Sequence, residues 1–392
     1  MKPVLFVTGH APFDRVGAFA RLHEREGVEF ALFGGRSQHG GMTGDTGLPF
    51  PHRRVRQHEV AALAASGHYR AVVVSTGGRI ALPGAWAGAR RARVPLILWS
   101  ALWAHPRTVA HAFSYPALLR LYRSADAIVT YGAHVSAYVR AHGARNVHVA
   151  PQSVDNEFWS RAVAPGVSSP PTPGWPSQTA PKFLFAGRPV REKGVGVLIE
   201  AWLESGLVAP SAALVLVGVG SIPPWVPAGG AVRRRAAHGE DPVVRGHWKR
   251  SEELADGFGV VCLDPVAPEQ LRGMYAAADV LVVPSIPTRT FREPWGLVVN
   301  EAMNRNLPVI ASDAVGAVAG GLVRDRRNGL VVPAGDPHAL AHALRRLAAD
   351  APLRARLGAA GRSDVQAFTH DAWARGFSRA LGSLDLSRGE RW

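Results

Sequence analysis

Val280-Leu281-Val282-Val283-Pro284-Ser285 is followed, a few residues on, by Arg292-Glu293-Pro294-Trp295-Gly296-Leu297-Val298-Val299-Asn300-Glu301-Ala302-Met303. The first run reads as a buried strand. Pro294 and Gly296 mark a strand-to-helix turn, and Leu297 to Met303 read as the opening turns of a buried helix. Glu293 is therefore expected in the mouth of the turn and Glu301 about one turn into the helix. A helix start offers unpaired N–H groups and partial positive charge, and carboxylates accept hydrogen bonds from sugar or ribose hydroxyls. Taken alone, the pair also fits a loop carboxylate followed by an acid placed against a helix dipole.

The same alternation of apolar run and helix extends in both directions. In the front half the runs are Val4 to Val7, Phe30 to Phe33, Ala71 to Ser75, Leu96 to Trp99, Ala127 to Thr130 and Val147 to Ala150. In the back half they are Phe183 to Ala186, Leu214 to Val217, Val260 to Leu263, Val280 to Val283, Val309 to Ala311 and Leu330 to Val332. Such a rhythm predicts an α/β protein with two parallel, Rossmann-like domains facing a central cleft. Six prolines among residues 161–181 exclude a helix or central strand there and predict a linker. The expected boundaries are an N-terminal domain at 1–160, the linker at 161–181, a C-terminal domain at 182–365 and a final segment at 366–392. In that last segment Trp373, Phe377 and Leu381 share one helix face. Residues 221–259, rich in Pro, Gly and Arg, predict an irregular excursion between two strands.

Composition narrows the class. The 392 residues suit two domains, and no apolar run approaches the ~18 residues that span a bilayer. The start reads as a first strand rather than a leader, so a cytoplasmic protein is expected. Its one cysteine, Cys262, lies between Val261 and Leu263 and reads as a core-strand residue. Net charge is +15, and residues 1–180 hold 19 basic against 9 acidic side chains. That excess suits an anionic partner, with peripheral contact at an anionic membrane surface the leading candidate, although arginine-rich coding alone also produces it. Nucleic acid is not an expected partner, because no zinc-finger spacing, RNA-binding aromatic motif or long basic run appears.

A second motif precedes the first. Phe183-Leu184-Phe185-Ala186-Gly187-Arg188-Pro189-Val190-Arg191-Glu192-Lys193-Gly194 is a strand, a glycine turn and two separated cations. Arg188 offers a bidentate fork and Lys193 a point charge, the fixed positive charge that a departing diphosphate needs. Lysine occurs only four times in the chain, which makes its placement here more telling. The pair Glu293/Glu301, these cations, Met274 to Asp279, Leu307 to Ser312 and Asn328 to Asp336 together resemble the E-x7-E retaining glycosyltransferases of family 4 (glycosyl transferases group 1), which have the GT-B fold and usually carry Phe where Trp295 stands.

The resemblance implies transfer of a sugar from a nucleoside diphosphate sugar, of UDP or GDP type, to an acceptor hydroxyl with retention of configuration. Cell-envelope polysaccharide, glycolipid or secondary-metabolite glycosylation would be the setting. It implies donor contacts from Arg188, Lys193, Glu293, Pro294, Trp295, Gly296, Leu297 and Glu301, with Glu301 on the ribose and the base near Leu263 to Val266. It implies a sugar-side histidine, for which His105 is the candidate and His111 the second, so the expected catalytic set is His105, Arg188, Lys193 and Glu293. His10 and Arg15 are acceptor-side candidates, although paired glycines usual in the first turn are absent. Gly321 stands where Glu is often found. No cofactor and no metal is expected, since no Asp-x-Asp follows an apolar strand. The family's last helix commonly crosses back to the first domain. Other GT-B enzymes, a phosphorylase or a sugar-nucleotide epimerase, remain alternatives, as does a non-enzymatic sugar- or nucleic-acid-binding module.

Overall fold

The computed structural model describes residues 1–34, 47–163, 181–220 and 259–386. Most of the expected linker, and the expected excursion apart from Gly259, lie outside the described residues. The chain divides into two compact α/β units, residues 1–155 with 367–392, and residues 156–366.

The first unit is built on a parallel sheet of β1 (Val4–Thr8), β2 (Val28–Leu32), β3 (His52–Arg54), β4 (Ala71–Ser75), β5 (Leu96–Ser100), β6 (Ala127–Thr130) and β7 (Val147–Val149), in the order β3-β2-β1-β4-β5-β6-β7. β1, β5 and β6 are buried along their whole length, as strands covered by helices on both faces must be. β3 has no apolar run because it is an edge strand, paired on one side and largely exposed. One face of the sheet carries an aromatic core. Phe19 and Phe30 stack at 4.6 Å, and Phe6 lies 5.4 Å from Phe377. Trp373, Phe377 and Leu381, on helix His370–Gly382, are buried in this core beside helix Phe13–Glu26. Truncating one such aromatic typically costs about 3–5 kcal/mol. Arg70 closes the unit from below by bonding the carbonyls of Lys2, Glu26 and Leu386 and pairing with the buried Glu26 carboxylate at 3.3 Å.

The second unit has β8 (Lys182–Ala186), β9 (Ala213–Val217), β10 (Val260–Leu263), β11 (Val280–Val283), β12 (Val309–Ser312) and β13 (Gly329–Val332), in the order β10-β9-β8-β11-β12-β13, all parallel. Its core gathers Phe183, Leu198, Trp202, Leu214, Ile310 and Leu344. Helix Asn156–Ser160, expected in the front domain, belongs here. Asn156 bonds the Val365 carbonyl and the Asn304 amide, and Trp159 packs edge-on to Tyr275 at 5.7 Å. Cys262 sits in β10 at the sheet edge, half-buried, and burial pushes its thiol up to about 11. Among the described residues no helix is long and apolar enough to cross a membrane.

Candidate active site

Strand order reverses direction between β8 and β11 in the second unit, and between β1 and β4 in the first. Open parallel sheets hold ligands outside the carboxyl ends of strands at such a point. Both motifs found in the sequence fall at the β8/β11 reversal.

After β8 the chain turns at Gly187, whose N–H bonds the Val217 carbonyl at 3.0 Å, and passes through one tight turn, Arg191–Lys193, into helix Val195–Ser205. Gly194 makes this possible. Its φ is +72°, and a Cβ there would stand 1.9 Å from the Pro284 carbonyl oxygen at the end of β11. Beside it, the Ile286 N–H donates to the Glu192 carbonyl at 3.0 Å. The tight approach sets the Lys193 Nζ 2.5 Å from Glu293 Oε2, which also accepts from Ser285 Oγ at 3.3 Å. The carboxylate side chain is 7% exposed and the lysine 23%. For such a pair desolvation offsets much of the attraction, so it adds little to stability, whereas removing either partner leaves a poorly solvated charge. Arg188 is exposed.

The next residues hang on the strand β12 side. The Glu293 and Trp295 carbonyls accept from the N–H groups of Gly316 at 3.1 Å and Ala317 at 2.8 Å. Gly296, with φ +91°, then reverses the chain into helix Val298–Met303. Trp295 is buried, and its indole N–H reaches Asn300 Oδ1 at 2.8 Å. The larger ring fits because position 320 is glycine, where a Cβ would lie 2.3 Å from Trp295 Cζ3. Gly321 itself faces open space. Glu301 is buried rather than solvated, and its Oε2 accepts the Tyr275 hydroxyl at 2.7 Å.

Beyond β9, the N–H groups of Gly218, Val219 and Gly220 all converge on the Leu263 carbonyl at 2.9 to 3.1 Å. A Cβ at Gly218 would meet the Gly187 carbonyl at 2.7 Å, so the ends of β8, β9 and β10 are drawn together. The structure thus gathers Lys193, Glu293, Pro294, Trp295, Gly296 and Leu297 at one reversal. Tyr275 and Ser285, which orient the two carboxylates, had no signal in sequence spacing.

The remaining candidates lie in the first unit. His105 follows β5, with Nε2 at 3.0 Å from the His111 carbonyl and its ring 4.4 Å from Tyr115. With Thr108, Tyr115, Tyr138 and His142 it lines a cavity of about 720 Å³. Burial pushes the hydroxyl of Tyr138 up to about 12. His111 bonds Thr108 Oγ1 at 2.7 Å and holds the start of helix Val109–Ser124. At the β1/β4 reversal, both ring nitrogens of His10 are buried without a hydrogen-bond partner among the described residues. Arg15 is buried over the rings of Trp99 and Tyr131, each at 5.8 Å, and donates to Gln152 Oε1.

Residues 180–350 match the model of the glycosyl transferases group 1. That segment holds the Lys193–Glu293 pair and Glu301. Among curated relatives of this chain, the D-inositol 3-phosphate glycosyltransferase of Xylanimonas cellulosilytica is 35% identical over 247 residues, 59% of this chain and 51% of that protein. The enzyme of the same name from Corynebacterium diphtheriae is 32% identical over 207 residues, 52% of this chain and 43% of that protein. The matches thus span about half the length of these relatives. In fold the likeness runs through the whole chain. The crystal structure of Anabaena HepE in complex with UDP and glucose superposes with a TM-score of 0.72 at 18% identity, covering 98% of this chain and 100% of that one. Sucrose-phosphate synthase from Thermosynechococcus elongatus gives 0.64 at 22% identity, covering 98% and 99%. The fold is GT-B, two Rossmann-like α/β units.

Proposed function

We propose that this protein is a retaining glycosyltransferase that moves a sugar from a nucleoside diphosphate sugar to an acceptor hydroxyl. The observation that carries the reading is the Lys193–Glu293 pair at the β8/β11 reversal, inside the segment that matches the glycosyl transferases group 1. A donor diphosphate would take Lys193 from Glu293, and Arg188 would close on it as a fork. Glu293, released from the lysine, would accept a hydrogen bond from a donor-sugar hydroxyl. Glu301, held by Tyr275, would accept from the ribose. As the bond from the anomeric carbon to the diphosphate breaks, negative charge grows on the leaving oxygen, and fixed cations stabilise that stage more than the ground state. No carboxylate is assigned as a nucleophile, so the acceptor attacks from the face the diphosphate leaves, and its hydroxyl proton passes to the departing phosphate oxygen. The two cations take the part a metal ion would otherwise play. A UDP-type donor is favoured by the likeness to HepE, whose crystals hold UDP and glucose.

Acceptor choice would belong to the first unit, where His105, His10 and Arg15 are the candidate residues. Peripheral contact with an anionic membrane is supported by the basic front half and by Val109 and Phe113, 75% and 83% exposed one turn apart on helix Val109–Ser124. Incubation with labelled nucleotide sugars tests the assignment. Acceptor-dependent nucleotide release, lost in Lys193→Ala and Glu301→Ala, is expected. Turnover without any acceptor would instead identify an epimerase, and undiminished release in both variants would contradict the site.

A further inference from the structure

Away from the β8/β11 reversal, Arg305 lines a cavity of about 350 Å³ in the second unit with Ala162, Val163, Gly273, Ala276 and Ala277, and two further arginines, Arg272 and Arg362, stand near Arg305. Arg272 comes from helix Pro268–Ala277, Arg305 from the turn after helix Val298–Met303, and Arg362 from helix Ala351–Val365. Arg272 Nη1 donates to the Phe158 carbonyl at 3.2 Å, and its guanidinium lies 4.8 Å from the Phe158 ring. Arg305 Nη1 donates to the carbonyls of Ser160 and Arg161, each at 3.0 Å, and Arg362 Nη1 to Asn304 Oδ1. The Nε atoms of Arg272 and Arg305 are buried without a partner among the described residues.

Not one of the three forms an ion pair with a described carboxylate. Nearby acids are engaged elsewhere: Glu157 is turned to solvent beside Arg161, and Asp364 is held by Arg324, Arg327 and Asn328. Burial, and then the neighbouring charges of Arg272 and Arg362, depress the Arg305 guanidinium below its usual range. Among the described residues these three half-buried cations face carbonyls, an amide and a ring but no carboxylate, and Arg305 opens on the cavity. Carbonyls at the end of helix Asn156–Ser160 supply partial negative charge, not a full unit.

We propose that Arg272, Arg305 and Arg362 form a second, non-catalytic site for a small doubly charged oxyanion, a phosphate or phosphomonoester. The cavity volume suits a compact ligand. An anion there would tie together the helix that carries Tyr275 and the segment that carries Glu301, and so steady the hydrogen bond between them.

The test is thermal unfolding of the full chain in rising inorganic phosphate, with sodium chloride at matched ionic strength. The wild type and Arg188→Gln should show a saturable, phosphate-specific rise in midpoint. In Arg305→Gln and Arg272→Gln the half-saturating concentration should rise at least tenfold. Phosphorus NMR line broadening by Arg362→Lys, which keeps the charge but loses the planar fork, gives an independent reading, with weakened binding expected. A response no greater than that to chloride overturns the site. So does one that survives Arg305→Gln but vanishes in Arg188→Gln, because the phosphate would then lie at the β8/β11 reversal. Sedimentation with phosphatidate vesicles that is lost in Arg305→Gln, with no response to free phosphate, overturns the small-ligand assignment in favour of a lipid headgroup.

Discussion

The two units share a parallel sheet with one reversal of strand order, yet they furnish that reversal in opposite ways. In the second unit the charges there are matched, with Lys193 against Glu293 and Glu301 held by Tyr275. In the first unit Arg15 is buried against two aromatic rings and an amide, and His10 has no hydrogen-bond partner among the described residues. The common sheet fixes where a ligand goes, and the side chains at the strand ends fix which chemistry is met there. Under the proposed function, the pre-paired cation and carboxylate would exchange partners when a diphosphate and a sugar arrive together. An arginine stacked on rings has no such partner to release.

The largest expected effect comes from breaking the pairing. Glu293→Ala should lower acceptor-dependent turnover by about 10²–10³-fold, measured as kcat/KM, because a preorganised polar contact to the donor is removed. Loss of the same size in Arg15→Gln would erase the contrast between the units. Next comes Gly194→Ala, which forces a side chain onto the Pro284 carbonyl at positive φ. A destabilisation of more than about 2 kcal/mol in denaturant unfolding is expected. An unchanged midpoint would mean that the close approach does not set the pair. Gly320→Ala should cost about 1–3 kcal/mol through overpacking against Trp295, and Trp295→Phe in the same chain should restore most of it. Additive losses in the double variant would show that the two positions are not coupled.

The last comparison concerns pH and touches the first unit. His370, at the start of the last helix, is held neutral by burial, with its ring pushed down to about 4 while Asp155 acts in the opposite sense. Between the unfolded value of about 6.5 and this lower one, the unfolded chain binds a proton that the native chain does not. Stability is therefore full above about pH 6.5 and falls as pH drops toward 4, by roughly 2–3 kcal/mol. His370→Gln should flatten that slope in thermal scans. An unaltered slope would place the acid sensitivity elsewhere.

Much of this architecture is legible in the residues. Strands buried on both faces need unbroken apolar runs, and β1, β4, β5, β6, β11 and β12 show them. The edge strand β3 does not, because His52, Arg53 and Arg54 face water and only the ladder to β2 holds them. At the candidate site, turn glycines and charge placement single out Lys193 and Glu293 in the sequence. The bond between Lys193 and Glu293 is not legible there, since it joins residues 100 positions apart and depends on Gly194 packing under Pro284. Tyr275 and Ser285 resemble ordinary core and loop residues until the carboxylates they orient are seen.

The most direct measurement is calorimetric binding of UDP and GDP to the wild type, Lys193→Ala and Arg15→Gln. The account predicts that at least one nucleotide binds the wild type, that Lys193→Ala weakens its dissociation constant at least tenfold, and that Arg15→Gln leaves it unchanged. Nucleotide affinity that is indifferent to Lys193, or that is lost with Arg15, would contradict the placement of the donor at the second unit's reversal.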